Sequence, residues 1–183
     1  TGILDNKHIF KRALTSIGIP TSPFVVWHPA RGPLRPKVSG QFVRVFGHHQ
    51  GPYVVKPVSG RASLHVHVVD DEADLPEAVA AVHSATENQV LIEAYLPGRE
   101  FCVAVCGQVT ARQRRLQRSD DPFTFAAVER VLEPGDRIFT SMDERRITND
   151  RLKRLDPTAD AAEILCLREL AREVFLEFNL ETL

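Results

Sequence analysis

A lysine sits in the middle of an apolar, β-branched run, YVVKPV (53–58), and after the five residues SGRAS (59–63) a second such run begins, LHVHVV (64–69). Two short runs with β-branched residues at alternate positions, joined by a small polar turn, predict an antiparallel hairpin. An antiparallel pair this early excludes a purely parallel doubly wound sheet. It also poses a problem of charge. An ammonium inside a strand must find an anion, because burying it unpaired is costly. Lys56 therefore predicts either a salt bridge to a neighbouring carboxylate or a site for an anionic ligand, and the residues alone leave both open.

The rest of the chain supplies elements of both kinds. Residues 5–17 have apolar positions at helical spacing (Ile9, Phe10, Ala13, Leu14, Ile17), with Asp5 as the expected cap and Gly18 as the stop. FVVW (24–27) predicts a short strand. Residues 28–40 carry several prolines and glycines with scattered basic residues and predict a loop. QFVRVF (41–46) fits helix or strand. A helical period runs from Asp74 to about His83. QVLIEAYL (89–96) predicts a buried strand, PG (97–98) a turn, and REFCVAVCG (99–107) another strand. ARQRRLQRSDDP (111–122) reads as exposed, and IFTS (138–141) as a short strand. Residues 158–178 predict the clearest helix, with Asp160 at its start and Ile164, Leu167, Leu170, Val174 and Phe178 on one face. The fold class is α+β, or mixed α/β.

Composition removes several function classes. With 23 Lys and Arg against 24 Asp and Glu the net charge is −1, so no surface-wide attraction to nucleic acid or anionic lipid is expected. No apolar run approaches the roughly 20 residues of a membrane helix. Cys102, Cys106 and Cys166 form no zinc-like spacing and are expected as reduced packing residues. Neither a phosphate-binding GxxxxGK[ST] nor a GxGxxG is present, and nothing marks an HExxH or a Ser/His/Asp triad. A cytoplasmic setting is expected. The missing initiator methionine suggests a piece of a longer protein.

Three segments in order, DNKHIFKRALTSIGIPTSPF (5–24), GPYVVKPVSGRASLHVHVV (51–69) and VLIEAYLPGREFCVAVCG (90–107), resemble the nucleotide-binding segments of ATP-grasp ligases, closest to D-alanine–D-alanine ligases. The resemblance covers roughly residues 5–107. It implies an ATP-grasp fold with one lobe in residues 1–97 and a second, incomplete lobe in 98–183. It implies ATP between the lobes, Mg²⁺ on its phosphates, and small-molecule acid and amine substrates, with a homodimer left open. By the same resemblance Lys56 contacts the α- and β-phosphates, and Lys7 also reaches phosphate. SGRAS cradles phosphate through backbone N–H groups and Ser63. Glu93, Ala94, Tyr95 and Leu96 form the adenine hinge, with the Glu93 carboxylate accepting from the exocyclic amine. Glu100 accepts from the ribose hydroxyls.

Plainer readings stand beside these. Lys7 could be a solvated helix lysine, Ser63 a turn residue, and Glu93 and Glu100 exposed strand ends. The chain also departs from the family. Arg61 and His65 stand where glycines are usual in the phosphate loop, so Arg61 either adds a phosphate contact or the loop is altered. Val128 stands near a lysine position, with Arg130 and Arg145 as rival placements. The metal-ligand strands of the family would lie beyond Leu183. The implied activity is ATP-dependent joining of a carboxylate to an amine through an acyl phosphate. The alternative is a nucleotide-binding module without ligase activity.

Overall fold

The computed structural model describes residues 2–107, 109–112, 115–118, 121–139, 148 and 150–180. Two compact units divide the chain between Pro97 and Gly98.

The first unit is built on a four-stranded antiparallel sheet. Its helices and strands, in chain order, are α1 (Gly2–Asp5), α2 (Lys7–Ser16), β1 (Phe24–Trp27), α3 (Gly40–Phe46), β2 (Tyr53–Pro57), β3 (His67–Val69), α4 (Leu75–Thr86) and β4 (Val90–Ala94). The strand order is β1-β4-β2-β3. Register pairs Val54 with Glu93 and Lys56 with Leu91 across β2 and β4, and Phe24 with Glu93 across β1 and β4.

Because successive side chains alternate between faces, this register sorts the chemistry. Val25, Tyr53, Val55, Val90, Ile92 and Ala94 share one face. With Phe42 and Phe46 of α3 and Leu75, Val79 and Val82 of α4, they form the buried core. Tyr53 is fully buried and donates its hydroxyl to the His49 carbonyl at 2.7 Å. Burial pushes its phenol up to about 12, with Glu72 and Asp71 adding to the rise. The opposite face carries Phe24, Lys56, Leu91 and Glu93. The helix α2 meets this face, with His8 edge-on to Phe24.

Several expectations need correction. Asp5 does not cap the first long helix. Asp5 closes the short helix α1, and Asn6, in extended conformation, caps α2 by accepting from the Ile9 N–H. Residues 41–46 are helical, with the Ser39 hydroxyl as cap and Gly47 in left-handed conformation as stop. The second hairpin strand is shorter than 64–69. Ala62, Ser63 and His65 have φ of 60°, 57° and 56°, and left-handed residues cannot extend a strand, so pairing begins only at His67.

The second unit contains β5 (Glu100–Cys102), β6 (Val105–Cys106), β7 (Val109–Arg112), β8 (Arg115–Arg118), β9 (Phe123–Thr124), β10 (Val128–Arg130), β11 (Leu152–Arg154) and α5 (Ala161–Glu177). Residues 99–107 are therefore two short strands in different sheets, β5 beside β10 and β6 beside β9. The central sheet runs β11-β10-β5. Ile138 and Phe139 are not in a strand, and residues 140–141 of that expected strand, like Arg145, lie outside the described residues. Asp160 precedes α5 but does not cap it with its side chain; its carboxylate accepts instead from the Asp156 N–H at 2.9 Å. No residue of α5 is buried, and Leu165, Leu170 and Leu176 are exposed. No described helix is long and apolar enough to cross a membrane.

Candidate functional site

The polar face of the first sheet gathers three lysines around one carboxylate. Lys56 donates to Glu93 Oε1. Lys11 Nζ lies 2.9 Å from the other oxygen, Oε2. All three side chains are largely buried, at 13% exposure for Lys11, 20% for Lys56 and 11% for Glu93. Lys56 thus forms the salt bridge expected as one of its two readings. Its partner is Glu93, because the register sets Val54 opposite Glu93 and Lys56 one pleat further on the same face.

Lys11 was not among the residues expected from sequence. Its signal was its spacing from Lys7, since residues i and i+4 share a helix face. Lys11 also lies over the Phe24 ring, 5.1 Å from its centroid, an attraction between cation and π-face. Phe24 pairs with Glu93 in register, so one cross-strand pair supplies both of these partners of Lys11.

Lys7 ties the helix to the end of β2 and the turn after it. Its ammonium donates to the carbonyls of Pro57 at 3.2 Å and Gly60 at 3.0 Å. Its backbone N–H donates to the Val58 carbonyl at 3.0 Å, and Asn6 bridges to Ser59. Burial holds the Lys7 ammonium below its ordinary pKa, Lys56 pushes it further down, and Glu93 opposes both. Three ammoniums against one carboxylate leave the cluster with a net charge of +2, the electrostatic setting of an anion site.

The loop that follows carries three non-glycine residues with positive φ. Ala62, Ser63 and His65 occupy the left-handed region that glycine enters freely. Arg61 turns outward and pairs with Asp5 at 2.9 Å, both side chains being exposed.

Residues Ala94 and Tyr95 are anchored by backbone. The Ala94 N–H donates to Pro23, and the Tyr95 N–H to Pro52, each at 3.0 Å. The buried Ser22 hydroxyl donates to the Ala94 carbonyl at 2.5 Å. Leu96 is exposed. Both oxygens of Glu93 engage ammoniums, so its side chain is directed at lysines.

In the second unit Glu100 opens β5 directly across from Arg130 on β10, and the two form a salt bridge at 2.8 Å. Arg99, its neighbour, makes a two-pronged contact with Glu129 at 2.9 and 2.8 Å. The hydrogen bond from Arg99 holds the Glu129 carboxyl below its ordinary range. Among the described residues no group of three or more His, Cys, Asp or Glu could hold a metal ion.

Comparison with known proteins bears on the family and the fold. The family model for the D-ala D-ala ligase C-terminus matches residues 13–175. D-alanine–D-alanine ligase of Pediococcus pentosaceus is 30% identical over 105 residues, 57% of this chain and 27% of that protein. The ligase of Streptomyces avermitilis is 35% identical over 101 residues, 52% of this chain and 25% of that protein. Among solved structures, the VanG D-Ala:D-Ser ligase from Enterococcus faecalis superposes with a TM-score of 0.67 at 17% identity, covering 96% of this chain and 45% of that one. The chain thus spans less than half the length of these relatives. Its mixed helix and antiparallel-sheet architecture is the ATP-grasp fold of these ligases. With the family model covering most of its residues, the chain belongs to the D-ala D-ala ligase C-terminus family.

Proposed function

We propose that this chain is the nucleotide-handling part of an ATP-dependent carboxylate–amine ligase whose acid substrate is an amino acid or small peptide. The observation that carries the reading is the convergence of Lys7, Lys11 and Lys56 on Glu93 beside the loop 59–65. In this reading the terminal phosphoryl group of ATP passes to the substrate carboxylate. An amine then attacks the acyl carbon and phosphate leaves, so one C–N bond forms and one P–O–P link breaks. The residues contribute preorganised positive charge where anionic charge accumulates.

Each group has a part in the proposal. Lys56 binds phosphate oxygens while Glu93, held by Lys11, keeps it in place. Lys7 has a third N–H for phosphate after its two loop carbonyls. Ser63 and the loop amides cradle phosphate. The adenine edge falls to backbone groups of 94–96, because the Glu93 carboxylate is engaged by lysines. Tyr95 and Leu96 line the base, and Glu100 takes the ribose hydroxyls, exchanging Arg130 for the diol. The lobes would be residues 1–97 and 98–183. A cytoplasmic setting, where ATP is abundant, belongs to the same proposal, as does the family's Mg²⁺.

The test is ADP release by the full-length ligase with Mg·ATP, alone and with pairs of amino acids or dipeptides. Release stimulated only by an acid and an amine together supports the ligase. Tight ATP binding with no stimulation by any pair favours the nucleotide-binding module, whose specific support is Arg61 and His65 in the loop. No ATP binding at millimolar concentration would reject both.

A further inference from the structure

Away from the lysine cluster, a cavity of about 340 Å³ lies along β1 and under the loop that leads to α3. β1 is an edge strand of the first sheet. Since Ala94 donates to Pro23, the inward-bonding positions alternate through Val25 and Trp27. Val26 therefore turns its N–H and C=O toward the open edge, and it lines the cavity. The floor is apolar, formed by Val25, Trp27 and Leu34, and Arg31 and Arg35 stand at the rim. We propose that this cavity binds a small carboxylic acid with an aliphatic or cyclic body.

The charge pattern selects the ligand's sign. From Asn6 to Val69 the sequence has no Asp or Glu, yet it holds nine Lys and Arg. No acidic side chain lines the cavity. Arg31 uses one guanidinium N–H on Gln41 at 2.9 Å, which props it against α3. The Arg35 carbonyl accepts from the Val38 and Ser39 N–H groups, and among the described residues its guanidinium makes no hydrogen bond or ion pair. Two guanidiniums and a backbone N–H beside an apolar floor suit a carboxylate, whose planar oxygens match the guanidinium fork. The body then covers Val25 and Leu34 and displaces water from them. The volume is on the scale of small-ligand sites, roughly 300–1,000 Å³.

Trp27 makes the site measurable, because it is the only tryptophan in the chain. Its indole N–H donates to the Gly32 carbonyl at 2.8 Å, so the ring has a defined position at the cavity wall. The protein is titrated with cyclohexylacetate while Trp27 emission is followed, with cyclohexylacetamide and inorganic phosphate as comparisons. The expected result is a saturable change with the carboxylate and at least about tenfold weaker binding of the amide. Arg31→Ala with Arg35→Ala should weaken the carboxylate by about tenfold or more and leave ATP affinity unchanged. Both arginines are exposed, so the double variant should fold; calorimetry of the native protein repeats the titration with no fluorophore. Absence of saturation would overturn the proposal. So would equal affinity for acid and amide, binding by phosphate as tight as by the carboxylate, or an unaffected double variant.

Discussion

Replacing Glu93 by Gln removes the one negative charge that two buried lysines share. Lys11 and Lys56 are only 13% and 20% exposed, and Glu93 11%. Orphaning a fully buried charge costs roughly 3–5 kcal/mol. Since some water reaches these groups, and the amide still accepts one hydrogen bond, the expected loss is about 2–3 kcal/mol. The informative variant is the second one. Lys11→Met in the native background removes a partner from Glu93 and should destabilise by about 1 kcal/mol. In the Glu93→Gln background the same change removes an orphaned ammonium and keeps an apolar contact over Phe24, so it should stabilise by about 1 kcal/mol. The sign reversal follows from shared charge and from no packing argument. Urea unfolding of the four proteins measures it. If Lys11→Met has the same effect in both backgrounds, within about 0.5 kcal/mol, the three-residue cluster does not exist as described.

Four further outcomes follow from the same geometry. His65 is left-handed at φ 56°, so His65→Gly should raise stability by up to about 1 kcal/mol, and the β-branched His65→Val should lower it by about 1–2 kcal/mol in guanidinium unfolding. A Cβ at Gly51 would sit 2.2 Å from the Asp70 carbonyl oxygen at φ +112°; Gly51→Ala should therefore cost about 3 kcal/mol or more, and a thermal midpoint near that of the native chain would contradict it. Glu93 raises the Lys7 pKa against burial and Lys56, so Glu93→Gln should push Lys7 further down, seen by NMR of labelled lysine; an upward move would refute the arrangement. The Ala159 and Thr158 backbone N–H groups hold Asp156 below its ordinary range. A depressed carboxyl stabilises above its unfolded value and loses that contribution as pH falls through the folded one, so Asp156→Asn should flatten acid unfolding below about pH 4.

Much of the first unit was legible from local pattern. Alternation along YVVKP and VLIEA depends on the two-residue pleat alone, and it placed Lys56 and Glu93 on strands before any neighbour was known. The order of the three segments was enough to suggest the family, because the resemblance rests on their joint order and spacing along the chain. What local pattern could not supply was anything that depends on partners distant in sequence. The salt bridge of Lys56 needs a carboxylate 37 residues away, which only the register brings onto its face. Lys11 looked like any helix lysine until α2 was laid over Phe24 and Glu93. LHVHVV reads as a strand by alternation, yet left-handed residues up to and including His65 delay pairing to His67. Periodicity reports which side chains share a face. Only the tertiary structure decides what that face meets, because burial and ion pairing are properties of two surfaces and the sequence of one element describes a single surface.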